Sequence, residues 1–369
     1  MITFYSIIVS LKNELGHFFE YNHSLTKAIE LNGWKHIKVI PKSCSLSDLD
    51  DSWQKTINEI NHKNKFKNIN NVVPFIKNVK KIKKDKEAVL FIEDFNLIVL
   101  LLLLFAVLWV RPKCQLWLFH RFEYKITFLK GKAYKLIHYF FEKILDKKNV
   151  KYLTDSDLIA KLNGEYYIRK FNVFPIPHTN NFVIPSNDLR KKTELEKKLF
   201  WWPGGLIRKE KGLDVIQKIA KLLKQQDNIN IVLAEAAHEF VRNENFVYIP
   251  TYLTREGYLE WMGKSDLILL PYVGESYQYK TSGIFVESIC FGNIPVVSDN
   301  TWMAHELKKF NLDELVLNWE DNSIIEKLRT ITLNNFIREK LDFMRKFYEK
   351  FHSINNYSIK LKELLENKV

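Results

Sequence analysis

Cysteine is scarce: three in 369 residues, Cys44, Cys114 and Cys290, widely separated and odd in number. No Cys-x-x-Cys pair and no Cys/His cluster of metal-ligand spacing occurs, which excludes a disulfide framework and a structural zinc and fits a reducing compartment. Long apolar runs are equally rare. The longest, Leu97 to Val110, has fourteen residues, whereas a helix needs roughly twenty to cross a bilayer, so a buried helix or a re-entrant contact is expected there. The opening MITFYSIIVS has no cationic leader and no small-residue cleavage site; it reads as a first strand, with no secretion expected. Internal repeats are absent, and no Asp-x-Asp stands out in a loop that would hold a metal.

What is present is a chain large enough for two cores. At 369 residues and 46% hydrophobic content it exceeds the size at which one core stops growing. Its charge is uneven: residues 1–190 hold 30 Lys and Arg against 18 Asp and Glu, residues 191–369 hold 26 against 25. A basic first half suits anionic headgroups, nucleic acid or an acidic substrate, or is simply a solvated Lys- and Asn-rich face. The stretch between Lys63 and Lys86 is expected to be an exposed basic segment and a membrane or acceptor contact. It lacks interleaved stacking aromatics, so no nucleic-acid partner is expected.

The pattern along the chain alternates. A strand at Ile2–Val9 and an amphipathic stretch at His17–Leu31 lead to the strand HIKVI. AVLFIED, QLWLFHRFEY and KYLTDSDLIAKL continue the theme. VFPIPHTNNFVIPSNDL, with its three prolines, reads as an extended crossing near 180–190. The second half alternates LFWWPG, GLDVIQKIAKLLKQ, NINIVLAEA, FVYIP, TREGYLEWMGKS, LILLPY, SGIFVESICFG and IPVVSD, then WMAHELKKF, ELVLN and long helices. Continuous apolar strands between helices mean parallel sheets covered on both faces.

In such sheets ligands sit beyond the carboxyl ends of the strands. The loop GGLIRKEKGLD sets Gly204 and Gly205 beside Arg208, Lys209 and Lys211 just before a helix. Glycines allow close backbone approach and the cations neutralise phosphate, so a diphosphate is the natural ligand; a capped helix start with solvated lysines is the alternative. The loop PYVGESYQYKTSG leads into a helix starting near Ser282 and Gly283, whose amides and dipole suit the same diphosphate, with Thr281 and Ser282 as caps and phosphate donors. Glu287, one turn inside, is costly there unless it accepts hydrogen bonds, from a ribose diol or from a structural partner.

These residues carry a resemblance. GIFVESICFGNIPVVSD resembles the glutamate helix and Gly-x-Pro-Val-Val of glycosyltransferase family 4, within the GT-B superfamily, and RKEKGLD resembles its Lys-Gly phosphate motif. LTDSDLIAKL and NVFPIPHT are similar to that family's last N-terminal strand and interdomain crossing. In place of the family's first glutamate, eight before Glu287, stands Tyr279, and in place of its usual arginine stands Leu206; Glu275 and Arg208 are the nearby substitutes.

The resemblance implies an α/β GT-B fold: a Rossmann-like acceptor domain over 1–185, a nucleotide-sugar domain over 186–345, and a helix over 346–369 packing back on the first. It implies that His120, Arg208 and Lys211 serve the reaction. Gly16, Gly205, Glu275, Tyr279, Thr281, Ser282, Gly283 and Glu287 would then bind the donor. Gly16 lets the first loop approach the reacting centre and His120 faces the donor sugar, unless that histidine is structural; Arg121, Glu93 and Asp94 are further strand-end candidates. The expected activity is transfer of a hexosyl-type group from a nucleotide sugar to a glycan or glycolipid hydroxyl, with retention and without a metal, in surface polysaccharide or lipopolysaccharide-type synthesis. The expected location is cytoplasmic, peripheral on the inner membrane face. The rivals are another GT-B activity, such as an epimerase or phosphorylase, and a membrane- or nucleic-acid-binding protein with a degenerate pocket.

Overall fold

The computed structural model describes residues 1–13, 17–47, 49–61, 65–85, 87–123, 128–180, 197–203 and 207–366. The chain divides into two compact units, Met1–His178 with Ser353–Val369, and Thr179–His352.

The first unit holds a seven-stranded, wholly parallel sheet: β1 (Thr3–Ile8), β2 (Lys35–Pro41), β3 (Trp53–Ile57), β4 (Ala88–Asp94), β5 (Gln115–Phe119), β6 (Val150–Thr154) and β7 (Phe171–Val173). The spatial order is β3-β2-β1-β4-β5-β6-β7. Because side chains alternate between faces along a strand, the apolar runs of β4 and β5 split cleanly. Leu90, Ile92, Leu116 and Leu118 enter the core shared with α2 (Val72–Ile82), α3 (Leu97–Val110) and α4 (Phe128–Leu145). Val89, Phe91, Trp117 and Phe119 enter the opposite core, under α1 (His17–Leu31) and the last helix, α13 (Ile354–Leu365). The Tyr21 and Tyr357 hydroxyls meet at 2.7 Å and Asn32 donates to the Ser358 carbonyl at 2.9 Å, tying α13 to α1. After β6, Ser156 caps α5 (Asp157–Tyr167) by accepting from the Ile159 amide, as the Ser-Asp signal in the sequence predicts.

Three stretches differ from the sequence expectation. Within the basic segment, Lys65–Asn71 is a 3-10 helix and Val72–Ile82 is the helix α2, with Phe75, Val79 and Ile82 buried against α3 and its lysines outward; amphipathic spacing at 75, 79 and 82 accounts for this. Helix α3 is only half buried, as described below. Edge strand β3 falls in a polar sequence with no apolar run to mark it.

The second unit holds a six-stranded parallel sheet, β8 (Lys198–Trp201), β9 (Ile229–Ala234), β10 (Phe246–Ile249), β11 (Leu267–Leu270), β12 (Ile294–Ser298) and β13 (Val316–Leu317), in the order β10-β9-β8-β11-β12-β13. Its helices are α6 (Leu213–Leu222), α7 (Arg255–Lys264), the single turn α8 (Gly274–Tyr277), α9 (Gly283–Phe291), α10 (Trp302–Lys309), α11 (Ile324–Leu333) and α12 (Asn335–Phe351). Thr254, Ser282 and Thr301 cap α7, α9 and α10. Each sheet reverses its winding once, between β1 and β4 in one unit and between β8 and β11 in the other. These switch points are where doubly wound folds leave a crevice for ligands.

Candidate functional site

At the switch point of the second unit, the segments following β8 and β11 are locked together. Gly212 adopts a left-handed φ of 88° and lies so close to Pro271 that a Cβ would stand 2.1 Å from its carbonyl oxygen. Only glycine satisfies both demands. The Val273 amide donates to the Glu210 carbonyl at 3.0 Å, and Trp202 Nε1 donates to the Lys211 carbonyl at 3.0 Å. The turn Arg208–Gly212 is therefore held against the start of the loop that leads into α9.

That turn carries the cations. Burial, reinforced by Arg208, depresses the Lys211 pKa, with Glu210 opposing. Arg208 is exposed and stands 4.0 Å from Glu210. Beyond the turn, Ser282 Oγ accepts from the Phe285 amide at 3.3 Å, fixing the first turn of α9 at Gly283. Thr281 and Tyr279 are half-buried and Glu275 is exposed on α8. Gly205 and Gly16, together with Gly204 and Leu206, lie outside the described residues.

Glu287 has two partners that sequence reasoning missed. Its Oε1 receives Arg255 Nη1 at 2.7 Å and its Oε2 receives the Tyr258 hydroxyl at 2.7 Å. Both donors stand on the first turn of α7, where positions three apart share a face; the spacing in TREGY is the signal. Tyr258 is packed edge-on against Trp201 at the end of β8, ring centroids 5.3 Å apart. The two donors fix the orientation of the carboxylate.

In the first unit the strand ends converge on Arg121. Its Nη1 lies 2.8 Å from Asp155 Oδ2 and its Nη2 3.4 Å from Glu93 Oε2, while the guanidinium rests 4.9 Å from the Tyr21 ring and 4.8 Å from that of Phe119. Asn22 Nδ2 donates to Glu93 Oε1. Burial pushes the Glu93 carboxyl up to about 7, against the pull of Arg121 and Asn22. Asp155 Oδ1, Arg121 Nε and Asn22 Oδ1 are buried without a hydrogen-bond partner among the described residues, an arrangement that suits a polyhydroxylated ligand. Asn22 and Asp155 were not among the sequence candidates; Asp94 is half-buried.

His120 is placed differently from the role its resemblance implies. The ring is fully buried, edge-on to Phe95 and Phe171 at 5.0 Å each and to His138 at 5.2 Å, and neither nitrogen has a partner among the described residues. Burial pulls its pKa down to about 3. The reason is strand alternation: His120 follows Leu116 and Leu118 onto the α2–α4 side, while Arg121 follows Trp117 and Phe119 onto the α1 side. Arg121, one position on, is therefore the polar side chain on the α1 side.

No family model matches the chain. Among curated proteins it is similar to an uncharacterized 41.2 kDa protein in the cps region of Klebsiella pneumoniae, 24% identical over 161 residues. That match spans 42% of this chain and 43% of the relative, less than half of either. Solved structures match over the whole length. A sucrose-phosphate synthase from Thermosynechococcus elongatus superposes with a TM-score of 0.68 at 11% identity, covering 100% of this chain and 99% of that one. An α,α-trehalose-phosphate synthase (UDP-forming) from Burkholderia vietnamiensis gives 0.65 at 9% identity, covering 99% of both. A trehalose-6-phosphate protein from E. coli bound with UDP-2-fluoro glucose gives 0.63 at 10% identity, covering 98% and 99%. At such identities the likeness carries the fold: two parallel-sheet α/β domains of the GT-B kind.

Proposed function

We propose that this protein is a glycosyltransferase that moves a hexosyl-type group from a nucleotide-diphosphate sugar to a hydroxyl of a glycan or glycolipid. The observation that carries this is the locked pair of loops in the second unit, where Gly212 against Pro271 sets the Arg208–Lys211 turn beside the segment entering α9. When the sugar–phosphate bond breaks, negative charge grows on the leaving diphosphate. Arg208, Lys211 and the positive end of α9 are suited to stabilise it, and a cation such as Lys211, depressed first by burial and then by Arg208, gains most when an anion arrives. Glu287, steered by Arg255 and Tyr258, would accept the ribose hydroxyls. Arg121, Glu93 and Asp155 would hold hydroxyls of the acceptor.

Three finer points belong to the same proposal. The family 4 resemblance supports retention of anomeric configuration, which proton NMR of the first-formed product tests. Side-chain cations and a helix dipole can do a metal's work at a diphosphate, so activity should persist in chelator. The relative in a cps region supports a surface polysaccharide or lipopolysaccharide-type product made at the cytoplasmic face of a membrane.

The direct test is thermal stabilisation by a panel of UDP-, GDP-, ADP-, TDP- and CMP-sugars, since a ligand that binds only the folded state raises its stability. UDP-sugars come first, given the UDP ligand in the E. coli neighbour. A shift with one nucleotide that Arg208→Ala and Glu287→Ala both remove supports the reading. No shift with any member rejects it in favour of a binding protein with a degenerate pocket.

A further inference from the structure

Helix α3 contains fourteen residues and no polar one. A helix apolar all round is normally enclosed, yet here Val99, Leu103, Ala106 and Val110 face the core while a stripe at Leu101, Phe105, Leu108 and Trp109 faces outward. Phe105 is 45% exposed and Trp109 68% exposed, their rings stacked at 6.3 Å. The stripe does not stand alone. Helices α2 and α4 pack on either side of α3 in one layer, and α4 adds exposed Leu136, Tyr139 and Phe140.

The charge of this layer is of one sign. Across the three helices the sequence has seven lysines and one acid, Glu142. That acid is turned inward, with its carboxylate 2.7 Å from Arg169 Nε and 2.9 Å from the Tyr152 hydroxyl. Lys77 and Lys80 of α2 and Lys143 of α4 are exposed, and Lys83 Nζ reaches the Val110 carbonyl at the end of α3 at 3.0 Å. An apolar, aromatic-bearing ridge rimmed by lysines and without an outward carboxylate matches the surface of an anionic bilayer: apolar side chains enter the acyl boundary while the lysines meet headgroup phosphates. It does not match a second copy of itself, because pairing two such layers would bring lysine rims together. Among the described residues no helix is long and apolar enough to cross a membrane, so the contact is one of lying on the surface.

We propose that the outer face of α2, α3 and α4 is a docking surface for anionic lipid membranes, with Phe105 and Trp109 as the inserted residues and the α2 lysines as the electrostatic rim. It stands apart from the transferase reading, because vesicle binding is measured without donor or acceptor.

The test is co-sedimentation of the full chain with phosphatidylcholine vesicles, with and without phosphatidylglycerol, at low and raised salt. The wild type is expected to bind the phosphatidylglycerol vesicles and to be released by salt. The pair Phe105→Ser/Trp109→Ser should lower the partition at least tenfold. The pair Lys77→Glu/Lys80→Glu should lower it further, since each lysine near an anionic surface is worth roughly a fivefold change and reversal adds repulsion. All four positions are exposed, so both variants should keep the wild-type melting transition. Equal partition of variants and wild type, or equal binding to neutral vesicles, overturns the proposal. So does light scattering that shows a dimer dispersed by Phe105→Ser/Trp109→Ser, without vesicle binding.

Discussion

Arg255 and Glu287, thirty-two positions apart, form an ion pair of 2.7 Å in which the acid is nearly buried and the base is not: the side chains are 9% and 35% exposed. The asymmetry predicts which truncation hurts the fold. Arg255→Ala takes the charged donor away from a nearly buried carboxylate and leaves it the Tyr258 hydroxyl from the α7 turn, whereas Glu287→Ala leaves a guanidinium that reaches water. Urea unfolding should show Arg255→Ala destabilised by about 1–2 kcal/mol, a value already reduced for partial solvent screening, and Glu287→Ala by less. Nucleotide-sugar binding should rank the other way.

Gly212→Ala should be among the most damaging single changes in the second unit. A left-handed backbone costs a side chain about 1–2 kcal/mol, and the new Cβ would stand 2.1 Å from the Pro271 carbonyl oxygen, where backbone must move. A total loss of about 3 kcal/mol or more is expected. Chemical denaturation measures it, and Lys209→Ala on the same turn serves as a neutral control.

Glu93 titrates near 7 in the folded chain because burial outweighs Arg121 and Asn22. Between pH 4.5 and 7 the folded state holds a proton that the unfolded state has released, so this residue's contribution falls as pH rises through that window, by roughly 3 kcal/mol in all. Glu93→Gln should flatten that part of the stability profile. In the transferase assay, wild-type activity should depend on a group titrating near 7, and the variant should lose that dependence.

Four buried histidines act in the opposite sense. Burial holds His120 and His352 down at about 3, and His36 and His138 well below the ordinary value. The unfolded chain takes up these protons below about pH 6.5, so stability is lost as pH falls from there, by roughly 2 kcal/mol at pH 5 for each of His120 and His352. His36 and His138 act in the same direction, and together these losses exceed the single gain from Glu93, so the net effect of acid is unfolding. A melting series from pH 7.5 to 4.5 should decline steadily, and His120→Phe should decline less steeply while keeping its nucleotide response.

Arg208→Ala and Lys211→Ala, if the diphosphate is the leaving group, should lower kcat on the order of 100-fold each with a smaller effect on KM, as for loss of a donor to developing charge. Single-turnover assays separate the two constants. An effect on KM alone would mean that these cations bind ground state and transition state equally.

Much of this was legible from the chain itself. Strand–helix alternation, continuous apolar strands and the caps Ser156, Thr254 and Ser282 are short-range signals, written within one turn or one strand, and they specify two parallel α/β units and the start of α9. The pairing of Gly212 with an αL turn before α6 is of the same local kind.

Only the tertiary structure decided the partners. Asn22 meets Glu93, Arg121 meets Asp155, Arg255 meets Glu287 and Tyr21 meets Tyr357, across separations of 71, 34, 32 and 336 positions. Such contacts follow from strand order and from which face of the sheet each side chain takes, and a shift of one residue exchanges the faces. That single step buried His120 among aromatics and set Arg121 among the carboxylates. The apolar run of α3 also reads as core in the sequence yet leaves Phe105 and Trp109 outside, for a different reason. A helix in a surface layer has only one side to bury, whatever its residues are.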